Sequence, residues 1–258
     1  MKLKILILLL SILFIIIIWR LNILSIEKVN VINFAECVSV NDLSTEINRF
    51  DKNSILISPE RLKNELSSKY KCIKDISMSY EFPKTVNVNV YGRKFLTKIY
   101  SVETPLNLTD LEASISSETS LLDWNFPQES SEDAFVTDET GFVFTKVKPE
   151  TSLPILFLNE NIILGTQLDP PIFKSIEQIF SKILTLAPIS YQPNFKAKKY
   201  SNILLINTSP KVAFSLEKDI LRQLASLQLI LQKAKIDERV AEFIDLRFDK
   251  PVVQYRTK

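Results

Sequence analysis

The sequence predicts an α+β protein with a single N-terminal transmembrane helix, a small domain of order β-α-α-β-β, and a C-terminal β-rich domain with two helices. Three observations carry this expectation. An apolar run from Ile5 to Trp19 is broken only by Ser11. Segments of strict apolar–polar alternation are interleaved with segments whose apolar residues recur every three or four positions. A Ser-, Thr- and acid-rich stretch at about 101–132 has neither period and divides these segments into two groups. The expected organisation is a cytoplasmic end and anchor over 1–24, a first domain over 25–95 and a second over 96–258. With 258 residues, 46% of them hydrophobic, the chain is long enough for two modest cores.

The run from Ile5 to Trp19 gives about 22 Å of helix against a hydrocarbon core of about 30 Å. Lys4 and Arg20 extend it by burying their methylene stems, and Trp19 suits the headgroup level. No small-residue cleavage site follows, which favours an uncleaved anchor over a signal peptide. Lys2 and Lys4 precede the run with no acid among them, so the N-terminus is expected in the cytoplasm. The expectation is a single-pass protein of the plasma membrane, touching the bilayer through residues 5–19, with everything from about residue 22 outside. Such a compartment permits disulfides; Cys37 and Cys72 either pair there or stay as two buried thiols.

In the first domain, "SIEKVNVINF" alternates through Ile26, Val29 and Val31 and reads as a strand. "VSVNDLSTEINRF" places Val40, Leu43, Ile47 and Phe50 on one helical face. "SPERLKNELSSKY" follows as a second helix, with Ser58 as N-cap, Pro59 at the first position, and Leu62 and Leu66 inward. "IKDISMSYEF" and "TVNVNVYGRKF" are two strands about a turn at Pro83 and Lys84. Val86, Val88 and Val90 mark the buried side of the latter.

The stretch over 101–132 reads as a surface insertion whose cluster Leu121, Leu122, Trp124 and Phe126 packs back on the domain or docks a partner. "DAFVTDETGFVFTKV" is a strand, a turn at Asp138 to Gly141 and a strand. "LPILFL" is extended. "PPIFKSIEQIFSKILTLAP" forms a helix with Ile172, Ile176, Ile179, Phe180 and Ile183 on one face. "NILLINTSPKVAFSL" is a hairpin turning near Ser209–Pro210. "EKDILRQLASLQLILQKAKI" is the longest helix, with Ile220, Leu224, Leu227 and Leu231 inward. In the closing "FIDLRF", Ile244, Leu246 and Phe248 share one face, and Asp245 and Arg247 the other.

The chain has no histidine and three widely spaced glycines, so histidine-based catalysis, imidazole metal sites and glycine-rich phosphate loops are not available to it. Thirty-two Lys and Arg against thirty Asp and Glu leave a charge of +2, too little to argue for nucleic acid. No enzyme activity, cofactor, metal or small-molecule substrate is expected. A carboxylate-dependent hydrolase, with acids such as Asp138 and Glu139, is the enzymatic alternative.

The string "IEKVNVINF", "NSILISPERLKNEL", "IKDISMSYEFPKTVNVNVYGRK" resembles the POTRA domain of the FtsQ/DivIB cell-division family. Ile73, Phe82, Pro83, Val86, Val88, Val90 and Arg93 fit its pattern, while Gly92 replaces its usual glutamate and Phe95 a common proline. The closing "FIDLRF" is similar to the last strands of that family's β-domain. The resemblance implies a bitopic scaffold of the bacterial divisome, enriched at the septum, that binds the coiled-coil proteins FtsB and FtsL and helps control septal peptidoglycan synthesis. A POTRA-bearing secretion or assembly component is the alternative. The resemblance further implies partner-strand addition at the C-terminal edge. Arg247 would meet a partner carboxylate, Phe248 would be the apolar contact, Val252, Val253, Gln254 and Tyr255 the pairing edge, and Lys198 and Lys199 a second basic contact.

Overall fold

A computed structural model describes residues 26–35, 37–50, 58–81, 84–102, 124–128, 134–148, 150–186 and 195–256. Among them lie four helices and twelve strands, in two compact units that divide between Arg93 and Lys94.

The first unit runs β1 (Lys28–Phe34), α1 (Val40–Asn48), α2 (Pro59–Lys69), β2 (Ile73–Glu81) and β3 (Thr85–Gly92). Its sheet has the order β1-β3-β2, with β1 parallel to β3 and β2 antiparallel to it. Val86, Val88 and Val90 are fully buried, as alternation requires, beneath Leu43, Ile47, Leu62 and Leu66 of the helices. Ser39 caps α1 by accepting from the Asp42 N–H, whereas Ser58 makes no side-chain cap bond and α2 starts on Pro59 alone. Val40, expected inward, is 49% exposed because it stands at the first turn, ahead of the buried stripe. Cys37 and Cys72 are joined in a disulfide, which ties the end of β1 to the start of β2.

Among the ion pairs of this unit, those at Glu46 and Asp75 hold a carboxyl below its usual value. Lys69 donates to Glu46 at 2.6 Å and, with Arg49, holds that carboxyl below its usual value; Lys63, with the Ile76 backbone N–H, does the same for Asp75. A carboxyl lowered in the folded state stabilises above its unfolded pKa, and that stabilisation is lost as pH falls through the folded one. Acidification below about pH 4 is therefore expected to lower the urea midpoint of the first unit modestly, by an amount that shrinks in high salt.

The second unit is built on one nine-stranded sheet. Its elements are β4 (Thr97–Ser101), β5 (Ala134–Thr137), β6 (Val143–Val147), β7 (Ile155–Leu158), α3 (Pro170–Ile183), β8 (Lys196–Tyr200), β9 (Ile203–Asn207), β10 (Lys211–Ser215), α4 (Ile220–Ile236), β11 (Ala241–Asp245) and β12 (Val252–Tyr255). Strand order is β12-β11-β10-β9-β8-β7-β4-β5-β6. The pairs β4–β7, β7–β8 and β10–β11 are parallel. α3 connects β7 to β8 and α4 connects β10 to β11, because a parallel neighbour needs a long crossover. Their inner faces, Ile176, Ile179, Phe180, Leu224, Leu227 and Leu231, close the main core over the sheet. At the β5–β6 turn, Gly141 has φ +81°, and a Cβ there would meet the Phe173 ring at 2.6 Å, so only glycine fits.

The other face of the sheet is covered in part by the residues that end the insertion. Trp124 packs edge-on against Phe243 at 5.5 Å and Phe126 lies beside Phe157, over a cluster of Tyr200, Leu205, Ala213 and Phe243. Of the four apolar residues expected to act together there, these two pack back; Leu121 and Leu122 lie outside the described residues.

These findings correct two expectations. The fold of the described residues is mixed α/β and mostly β, with α3 and α4 serving as crossovers between parallel strands, in place of the expected α+β arrangement. Among the described residues no helix is long and apolar enough to cross a membrane, which conflicts with a single-pass protein of the plasma membrane. The apolar run Ile5–Trp19 itself lies outside the described residues.

Candidate partner-binding edge

β12 is a terminal strand of the large sheet. Val252, Val253, Gln254 and Tyr255 pair antiparallel with Asp245, Ile244, Phe243 and Ala241, and no described strand lies on the other side. Val253 and Tyr255 pack their side chains against the main core, which fixes the strand's rotation about its axis. Arg256 donates its N–H to the Val240 carbonyl on the β11 side. Since backbone groups alternate in direction along a strand, Val252 and Gln254 also face β11, while the N–H and C=O of Val253 and Tyr255 face the bare side. A short edge preceded by Pro251 and flanked by Lys250 and Arg256 is poorly suited to indiscriminate pairing.

Arg247 does not extend toward that edge. Its Nε donates to both carboxylate oxygens of Asp245, at 2.9 and 3.1 Å, and its Nη2 donates to Oδ2 at 2.6 Å. The Asp245 carboxylate also accepts the Arg247 backbone N–H at 3.0 Å. Asp245 is 3% exposed at the end of β11, so the guanidinium neutralises a buried charge. The planar cation lies 5.4 Å from the Phe248 ring, which is half exposed. Phe248 lines a cleft of about 240 Å³ with Lys218, Asp219, Arg222, Asp249 and Pro251. Lys218 donates to Asp249 at 2.8 Å, tying the β11–β12 turn to the N-terminal end of α4 and holding the Asp249 carboxyl below its usual value.

Lys198 and Lys199 stand apart from this edge. They belong to β8, four strands from β12, or about 19 Å at normal strand spacing. Lys198 is buried and donates to the Asn125 carbonyl, and Lys199 pairs with Glu160 at 3.0 Å. Their work lies within the second unit. Asp138 is likewise occupied: its Oδ1 accepts from the Thr140 N–H and hydroxyl and the Phe142 N–H, which shapes the β5–β6 turn.

No protein-family model matches the chain, and no curated protein matches it significantly. The site therefore rests on its own geometry. Sequence reasoning missed the cation pair of Lys218 and Arg222 beside Phe248. Their position at the N-terminal end of α4, Lys218 before the cap and Arg222 in the first turn, was visible, but their nearness to the β11–β12 turn depends on the crossover.

Proposed function

We propose that this chain is a non-enzymatic scaffold that accepts a short partner strand on the bare side of β12. The observation that carries the reading is that edge, with Val253 and Tyr255 offering backbone groups that no described strand pairs, next to the half-exposed Phe248. The resemblance to the FtsQ/DivIB family, including a first unit of POTRA-like order, supplies the partner class. The partners are small coiled-coil proteins of the FtsB and FtsL kind, through which the scaffold helps control septal peptidoglycan synthesis. In this reading Phe248 is the apolar contact at the end of the paired strand. Arg247 acts indirectly, by holding Asp245 and the β11–β12 turn in place.

Capture experiments with the full chain as bait test it. The intact chain is expected to retain small coiled-coil division proteins, and a chain ending after Phe248 to lose them. Equal retention by the shortened chain, with its fold verified by circular dichroism, removes the reading.

A further inference from the structure

The three most exposed large apolar side chains among the described residues are Ile236, Leu221 and Leu229, at 80, 66 and 66%. All three sit on α4. At 3.6 residues per turn they fall, with the exposed Ala225, within about 80° of arc, opposite the buried Leu224, Leu227 and Leu231. The stripe runs for about 22 Å. Single exposed leucines are ordinary, but an aligned row on the solvent side of a helix is not what a solvated face carries.

The charges around the stripe are of one sign. Between its flanking residues Asp219 and Asp237, α4 contains no acid. Arg222 and Lys233 border one margin of the stripe and Lys235 the other, and neither Lys233 nor Lys235 forms an ion pair among the described residues. Gln232 lies within the stripe and Gln228 at its edge. These amides hydrogen-bond readily across a helix pair but resist immersion in acyl chains, which separates this face from a lipid-binding one.

We propose that the outer face of α4 docks an amphipathic helix of a partner protein whose margins are acidic. Its apolar ridge lies along Leu221, Ala225, Leu229 and Ile236, with Ala225 allowing close approach, and its carboxylates reach Arg222, Lys233 and Lys235. Apart from Arg222, which also lines the Phe248 cleft, this surface is separate from the β12 edge, and it does not depend on that reading.

The test uses the full chain and two labelled synthetic peptides of three heptads with leucine at a and d, one with glutamate and one with lysine at e and g, followed by fluorescence anisotropy. The acidic peptide is expected to bind at least about tenfold more tightly than the basic one. Leu229→Glu with Ile236→Glu should weaken it by about tenfold or more without altering thermal unfolding, since both side chains are exposed. Lys233→Glu with Lys235→Glu should reverse the preference between peptides. Failure of the acidic peptide to bind, equal affinity for both peptides, or indifference to the Leu229 and Ile236 changes overturns the proposal. So does binding to phosphatidylglycerol vesicles that depends on Leu229 and Ile236 while the acidic peptide stays unbound, which assigns the face to a lipid surface.

Discussion

Arg247→Ala is expected to destabilise the second unit by about 3 kcal/mol in urea unfolding, with no partner present. The substitution leaves Asp245, 3% exposed, as a buried carboxylate whose remaining close donor among the described residues is the backbone N–H of residue 247. It also removes three charge-assisted hydrogen bonds from one guanidinium. The comparison that isolates the cause is the double variant Asp245→Ala with Arg247→Ala. Removing both charges lifts the desolvation cost, so the double variant should be more stable than Arg247→Ala alone. A double variant that is less stable than either single one would show that packing, not charge, is what Arg247 provides. One practical consequence is that loss of partner binding in an Arg247 variant does not by itself place Arg247 at the interface.

The second large effect belongs to the first unit. Cys37→Ser with Cys72→Ser, or reduction of the native pair, is expected to cost it about 3–4 kcal/mol. The bond closes a loop with a sequence separation of 35, and opening it returns that loop's freedom to the unfolded chain. A unit of this size is expected to hold only about 3–10 kcal/mol in total, so the loss brings it close to unfolding at room temperature. Amide hydrogen exchange with and without reductant measures this directly. Protection of the Val86, Val88 and Val90 amides should collapse on reduction while that of Leu204 to Ile206 in β9 is kept. Equal loss in both places would mean that the two units unfold together.

Much of the fold was legible because local period and burial coincide. Val86, Val88 and Val90 alternate and are buried, and Leu224, Leu227 and Leu231 recur at helical spacing and face the core. The two strands that sequence reasoning passed over, β4 and β8, fail that test for a physical reason: each spends lysine in the interior. Lys98 is 1% exposed and Lys198 is 6% exposed, so "TKIYS" and "KAKKY" look like solvated segments although they lie inside the sheet. Burial of long aliphatic stems is invisible to a polar–apolar reading. Lys198 and Lys199 entered as a basic contact through the family resemblance, which carries no information about their burial in this chain.

The change from an α+β to a mixed arrangement has another origin. Whether β7 and β8, or β10 and β11, run parallel is decided by which neighbours their crossovers reach, and no local pattern encodes that. At the candidate site, the alternation of "FIDLRF" put Asp245 and Arg247 on one side. What it could not show is that β11 ends at Asp245, so that the chain bends and brings the guanidinium back onto the carboxylate.

The central claim is that backbone groups of Val253 and Tyr255 receive a partner strand. Val253→Pro tests it most directly, because proline removes an N–H that faces the bare side and leaves the β11-facing bonds of Val252 and Gln254 in place. The measurement is the affinity of the full chain for the coiled-coil partner proposed for it, alongside the urea midpoint. The account predicts that affinity falls by at least about tenfold in Val253→Pro with the midpoint nearly unchanged. Undiminished affinity in a folded Val253→Pro chain would contradict it.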